Sequence, residues 1–483
     1  MLVHATLLLV LGIRTLADLQ TGGPTETVSA SHDAHRILTD LTREAQDDFQ
    51  TRRYQAAREK LMQALHLSPR DPHLWTYLGL TDEQLNQVDR AIADFQKVLL
   101  ILSNDAQAFF NLGRLYMIKG DRFRAIEMYG QGLTLKQNDL PANQNYALLL
   151  MQAGRISDAI VPLQRLRKLN DSDVSTRATL IECYLKAGKQ EEGKQETREF
   201  LALPNVASDD KLKLAKLLLE EKQPDLAQPV LQQIVREAPD LTEAHATLGS
   251  LFLNLGHYKD ATQQYKEAVR LAPQSPEYAM HFAECLILEK RYQDALQFLN
   301  TVPEFGGLTE YRFKRALALY GMRLYGPAIA LFEELDSKEP NLDLIQYYLA
   351  QAYNEIAELQ KAQAYGKKAI ALNPNQASYY VVLGQILRKE GDDKTDEAIS
   401  TLGKALKLDR SSAPAKQELA LCYEKKRDYE NAERLLKEVV LEAPNVVSGH
   451  AALSRIYYLE NKRAEGDAEK KVIERIEATM ESP

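Results

Sequence analysis

An all-α solenoid of stacked helix–turn–helix hairpins is the fold class this sequence predicts, and three observations predict it. Eight positions spaced 34 residues apart, Ala57, Ala91, Ala125, Ala159, Gly193, Ala227, Ala261 and Ala295, carry only Ala or Gly. The ladder continues with small slips through Ala328, Ala362, Ala398, Ala432 and Gly466. Within each period, two apolar stripes at helical spacing flank a turn, and in many periods a proline then stops the second stripe. A fixed period of this length marks copies of one supersecondary unit stacked on a continuous core. That reading overrides the roughly three globular domains that the 483-residue length would suggest.

From the N-terminus, Ala5 to Ile13 is an apolar run of signal-peptide length, too short to span a bilayer, with a small-residue exit at Thr15-Leu16-Ala17. No Lys or Arg precedes the run, and Arg14 follows it directly. Two readings stand. Residues 1–17 are a signal peptide of a periplasmic or secreted protein, or they are a flexible tail or misassigned start on a cytoplasmic one. Residues 18–37, with Gly22-Gly23-Pro24, read as a linker. No later segment approaches the length of a membrane-spanning helix, so no integral membrane segment is expected.

The repeats begin at residues 38, 72, 106, 140, 174, 208, 242, 276, 309, 343, 377, 413 and 447. In the one starting at Thr242, Leu248, Gly249 and Phe252 form the first stripe. Tyr258, Ala261, Tyr265, Ala268 and Leu271 form the second, and Pro273 ends it. Position 8 of most repeats is also Gly or Ala, which predicts a close helix crossing between positions 8 and 20. Ile181 stands at position 8 of the repeat whose position 20 is Gly193, and the pair reads as a volume-conserving swap. Cys183, Cys285 and Cys422 all fall on position 10, on matching helices tens of Å apart at roughly 8–10 Å per helix. No disulfide or zinc site is expected from them. Irregularities mark joints. Val302 to Gly307 interrupts repeat 8 and suggests two arrays, 38–305 (repeats 1–8) and 309–478 (repeats 9–13). Repeat 11 gains two residues near Gly391, and the highly charged last repeat reads as a solubilising cap.

These residues resemble the tetratricopeptide repeat family, in the manner of a multi-repeat bacterial-type scaffold. The family pattern W-x2-L-G-x2-Y, then Y-x2-A-x3-Y/F-x2-A and P, is met by Trp75, Leu78 and Gly79. Phe109, Leu112, Gly113, Tyr116, Gly120, Ala125 and Tyr129 meet most of it in the next repeat. The resemblance runs from residue 38 to about 470, and it implies a right-handed superhelix of about thirteen hairpins. It also implies that the first helix of each repeat lines a concave face through positions 2, 5, 6, 9, 12 and 13. Asn111 and Asn145, both at position 6, then resemble an asparagine ladder that holds peptide backbone, since an amide both donates and accepts. Tyr77 and Phe110 would flank it as apolar anchors, with Arg114 and Thr179 on the same face. Tyr347, Tyr348 and Gln351 form a second inner cluster, with Tyr380 assigned to the core. The family's cationic clamp for acidic tails is not matched, because Thr76, Leu80, Asn111 and Pro141 occupy its positions.

Composition narrows the function classes. With 68 acidic against 60 basic residues, the net charge of -8 argues against nucleic acid as the main ligand, since phosphate binding needs a basic stripe. There is no H-E-x-x-H, P-loop or G-x-S-x-G motif; Gly321 to Gly326 has Walker-like glycine spacing, but Pro327 stands where Lys is needed. His245 and His450, at position 4, read as partly buried aromatics. No catalytic residue, metal or cofactor is therefore expected. The sequence reads as a non-enzymatic scaffold that binds extended peptides or partner proteins along its groove. The alternative is an accessory or targeting subunit of a multi-protein enzyme or secretion complex, such as a glycosyltransferase or envelope assembly. Oligomeric state is left open by either reading.

Overall fold

The computed structural model describes residues 27–480, so the apolar run at 1–17 and residues 18–26 lie outside the described part. Among the described residues the elements are 26 α-helices and two short 3-10 turns. First (A) helices start at Pro72, Ala106, Leu140, Val174, Ser208, Thr242, Pro276, Thr309, Asp343, Ala377, Ala413 and Val447, matching the expected starts to the residue. Repeat 1 differs. Its A helix runs Thr27–Gln50, so residues 27–37 are helix where the sequence suggested linker. That stretch contains neither Gly nor Pro, and Leu38 and Leu41 just beyond it pack on Leu61, Leu65 and Leu74.

Within a repeat, the A helix ends on a left-handed residue at position 15. Gly120 takes φ +82, and the next amide, Asp121 N–H, donates to the Tyr116 carbonyl at 2.9 Å. This Schellman-type closure satisfies carbonyls at the helix end and reverses the chain. Repeat 11 departs from it. There Gly391 is extended at φ 169, and the 3-10 turn Asp392–Lys394 takes up the two extra residues.

Between repeats, position 4 supplies a latch. In repeats 2, 4, 5, 7, 9, 10, 11 and 13 its side chain meets the carbonyl six residues earlier, in the turn that joins the repeats. Trp75 donates to Pro69 at 2.9 Å, Asn143 to Gln137 at 2.8 Å, Arg177 to Asp171 at 2.8 Å and Arg312 to Gly306 at 2.8 Å. Gln346 donates to Pro340 at 3.4 Å and Tyr380 to Pro374 at 3.0 Å. His245 and His450 face Pro239 and Pro444 at 3.1 and 3.0 Å, so they are hydrogen-bonded latches rather than packing aromatics. The residue type varies freely because any donor of sufficient reach satisfies the same turn carbonyl.

The crossing inside each hairpin is set by positions 8 and 24. A Cβ built on Gly79 would stand 2.8 Å from the Phe95 ring, one on Gly113 2.8 Å from Tyr129, and one on Gly249 3.0 Å from Tyr265. In repeat 10 both positions are small, Ala350 and Gly366, and a Cβ built on Gly366 would meet Leu383 of the next repeat at 3.5 Å before Ala350 at 3.8 Å. This corrects the swap assigned to Ile181. Gly193 makes room for Leu185, at 2.8 Å from its built Cβ, whereas the register sets Ile181 against Thr197, and both are buried.

The three cysteines are free and buried, and burial pushes their thiols up, Cys183 and Cys422 to about 11 and Cys285 to about 12. They remain protonated packing residues. The chain forms two compact units that divide after Val230, inside the helix Pro224–Glu237. The interruption at 303–308 lies within the second unit. It is a 3-10 turn, Pro303–Gly307, whose Phe305 packs with Ala279, Met280, Leu299, Val302 and Tyr311, while Tyr311 donates to the Leu299 carbonyl at 2.9 Å. The shortened repeat end is thereby filled with core.

Gly113→Ile is expected to overpack the third hairpin by about 1–3 kcal/mol in urea denaturation. Adding Tyr129→Thr, which copies the Ile181 and Thr197 arrangement, should recover part of that loss, with a coupling of roughly 0.5–3 kcal/mol. Strictly additive losses would contradict the assigned pairing.

Candidate interaction surface

The residues singled out from sequence sit on A helices, and where the preceding repeat carries a ring at position 24 the position-6 side chain can meet it, as in three repeats. Asn145 Nδ2 donates to the Tyr129 hydroxyl at 2.9 Å, His281 stacks on Tyr265 at 5.1 Å, and Tyr348 stacks on Phe332 at 5.6 Å with planes 6° apart. Position 6 is thus a repeat-to-repeat contact before it can be a recognition position. Asn111 is buried, 7% exposed, and its amide oxygen accepts from Gln107 at 3.5 Å. The asparagine ladder is accordingly corrected: one rung is buried and the other is committed to a tyrosine.

Phe110 is also corrected. Its ring turns inward against Gly132, whose missing side chain leaves the space, and lies 6.3 Å from the Tyr129 ring. It is buried core, and its size is matched by a glycine where the other repeats hold Ala or a larger apolar residue. Arg114 is half-buried and ion-paired with Glu83 of the preceding A helix. Burial pulls its guanidinium below the ordinary arginine range, and the neighbouring Tyr129 opposes that. The same bridge, position 9 to position 12 of the preceding repeat, recurs as Arg455 to Glu424 at 2.7 Å. Tyr77 stays half-buried; burial raises its phenol and a hydrogen bond with Gln46 opposes the rise. Thr179 turns its hydroxyl back onto the Ser175 carbonyl at 2.9 Å.

In the second compact unit the structure does bring the expected cluster together. Gln351 donates to the Tyr347 hydroxyl at 3.0 Å, and the Tyr347 and Tyr348 rings lie 5.1 Å apart. Tyr347 also meets Tyr379 at 5.0 Å, and Tyr348 meets Phe313 at 5.8 Å and Tyr320 at 6.0 Å. These rings come from the A helices Thr309–Gly321, Asp343–Glu355 and Ala377–Glu390. Burial pushes the phenols of Tyr320, Tyr347, Tyr348 and Tyr379 upward, so all four remain neutral and present apolar faces with hydroxyl tips. Phe313 and Tyr320, at positions 5 and 12, were legible from the same register that found Tyr347 and Tyr348.

Two open apolar side chains on A helices, at inner positions, were not singled out from the sequence. Ile118, at position 13 of repeat 3, is 56% exposed, and Leu148, at position 9 of repeat 4, is 47% exposed. Among the described residues no group of three His, Cys, Asp or Glu side chains is placed to hold a metal ion. One open surface groove follows the turn Gly256 to Asp260 with Glu289 and includes none of the candidate site residues. No described helix is long and apolar enough to cross a membrane.

Models of the tetratricopeptide repeat match residues 42–109, 106–139, 218–281, 252–320 and 389–456, together more than half of the chain. The chain is 28% identical over 183 residues to the human protein O-mannosyl-transferase TMTC1, covering 37% of this chain and 20% of that protein. It is 24% identical over 217 residues to a TPR repeat-containing protein of Methanocaldococcus jannaschii, covering 41% and 38% of the two chains. The chain therefore spans well under half the length of these relatives. The TPR repeat-containing protein YpiA of Bacillus subtilis is 21% identical over 364 residues, 75% of this chain and 73% of its own. Among solved structures, a chain of Naa15/Naa10 bound to HypK-THB aligns over 92% of this chain and 76% of its own, at a TM-score of 0.46 and 15% identity. Yeast Tom70 aligns over 89% and 97%, at a TM-score of 0.43 and 15% identity.

Asn145→Ala, which strips the Tyr129 hydroxyl of its donor, should cost about 0.5–1.5 kcal/mol in urea denaturation. Thr179→Ala, on the equivalent position, should stay within about 0.5 kcal/mol. Equal effects would show that the Tyr129 contact contributes nothing particular.

Proposed function

The chain belongs to the tetratricopeptide repeat family, and on that premise we propose that it is a non-enzymatic scaffold that holds partner proteins along its A-helix face. One observation carries the reading. Inner-position side chains such as Asn145, Arg114, His281 and Tyr348 are committed to repeat-to-repeat contacts, yet Ile118 and Leu148 leave large apolar side chains open to water on neighbouring A helices. Exposed apolar side chains on such a face are suited to desolvation by a partner. The tyrosine cluster around Tyr347 and Tyr348 offers a second patch, with neutral hydroxyls placed to orient a bound chain.

The second reading, an accessory subunit of an enzyme complex, uses the same face and differs in who binds there. The similarity to TMTC1, named as a protein O-mannosyl-transferase, covers a fifth of that protein and supports the reading only to that extent.

Affinity purification of tagged protein followed by mass spectrometry is expected to recover a defined partner that Ile118→Glu with Leu148→Glu no longer retains. Circular dichroism of the double variant should match the parent, since both side chains face solvent. Retention of the same partner by a folded double variant would remove this patch from the reading. Sequencing the mature N-terminus addresses compartment: cleavage near Ala17 favours action outside the cytoplasm, and an intact start favours the cytoplasm.

A further inference from the structure

Position 11 is Tyr, Leu or Phe in repeats 3 to 13 and an aspartate in the first two, Asp48 and Asp82, both buried. Position 23 of the B helix faces it across the hairpin, as the stacked rings of Tyr353 and Tyr365 show at 5.7 Å. In repeat 1 the facing residue is Lys60, whose ammonium lies 2.9 Å from Asp48, and Arg53 adds a second cation at 2.7 Å. In repeat 2 the facing residue is a second acid, Asp94, which is 8% exposed and whose Oδ2 has no hydrogen-bond partner.

Neighbouring geometry explains why Asp94 is left without a cation of its own. Elsewhere position 23 is answered from position 4, as in Arg177 with Glu196 at 2.5 Å, His245 with Gln264 at 2.9 Å and His450 with Glu469 at 2.5 Å. In repeat 2 position 4 is Trp75, and its one N–H is taken by the Pro69 carbonyl. From the preceding B helix, Tyr54–Leu67, Arg58 reaches in, but it binds Asp82 at 2.7 Å. Arg90, on the same helix as Asp94, is exposed, and Glu83 of the A helix turns away to Arg114. The next A helix, Ala106–Lys119, brings Tyr116 to Gln96, while its Lys119 pairs with Asp89. Two buried carboxyls therefore share one closely bound guanidinium. A proton is the natural third charge, because leaving two buried carboxylates with a single cation is costly.

We propose that Asp82 and Asp94 form a proton-sharing pair that acts as a pH-sensitive joint, closing repeat 2 against Arg58 of repeat 1 when protonated and loosening when the proton leaves. Burial first, and the Asp82 carboxylate second, hold the Asp94 carboxyl up at about 7, against the pull of Arg58 and Arg90. An unfolded aspartate titrates near 3.8. Between those values the folded chain binds the extra proton, so stability falls as pH rises through the window and levels off above it. The slope is at most about tenfold in the folding equilibrium per pH unit.

Trp75 is the chain's single tryptophan and stands at the position that faces position 23, so its fluorescence reports on the pair. The full chain should show one fluorescence transition as pH rises from about 5 to about 8, with Tm falling in step. Asp94→Asn should abolish the transition and melt above the parent at about pH 8, the gap narrowing as pH falls and closing only near the unfolded aspartate value of 3.8. Asp94→Lys, which copies Lys60 opposite Asp48, should do the same and serves if the first variant folds poorly. His66 and His73, the exposed histidines on these helices, are retained in both variants. A transition that persists unchanged in them, its absence from the parent, or a melting difference independent of pH overturns the proposal.

Discussion

Everything in this chain depends on how a small residue at position 8 receives the side chain at position 24 of its own hairpin. The distance between the two helices is set there, because a Cβ on Gly79 or Gly113 would already press on Phe95 or Tyr129. The ring held in that notch then offers its far edge to position 6 of the next repeat, as Tyr129 does to Asn145 and Phe332 to Tyr348. One steric fit thereby closes a hairpin and aims the hairpin after it. Size can move between the partners, as in Ile181 with Thr197, provided the pair keeps its volume.

That economy limits what remains for recognition. Polar groups on the A helices are largely engaged within the stack. Arg114 bridges to Glu83, Asn145 holds Tyr129, and position 4 latches the turns with whatever donor it carries. The outward-facing remainder is apolar and sparse, with Ile118 and Leu148 its most open members in repeats 3 and 4. Recognition by such a face comes from shape and desolvation more than from a dense array of hydrogen bonds.

The starts of twelve A helices were legible because Gly, Ala and Pro punctuation recurs with the period of the repeat, whereas the first A helix begins at Thr27, inside the stretch the sequence suggested was linker. The candidate site was legible in part. Register placed Tyr347, Tyr348 and Gln351 on one face, and they do meet. It also placed Phe110 and Asn111 there, and both are buried. Phe110 turns inward only because position 27 of its own repeat is Gly132, a coincidence that no single-position reading of the A helix contains.

By itself the sequence determined the repeat, its phase, the helix ends and the equivalence of the three cysteines, since all of these follow from local periodicity along one chain. Tertiary structure alone decided which side chains are free to act. Whether an asparagine reads a partner or caps a tyrosine, and whether an aspartate meets a lysine or a second aspartate, depends on residues 12 to 31 positions away whose side chains converge only once the helices cross. Periodicity says which face a residue occupies, while burial and hydrogen-bond partners follow from the volumes and charges that packing brings opposite it.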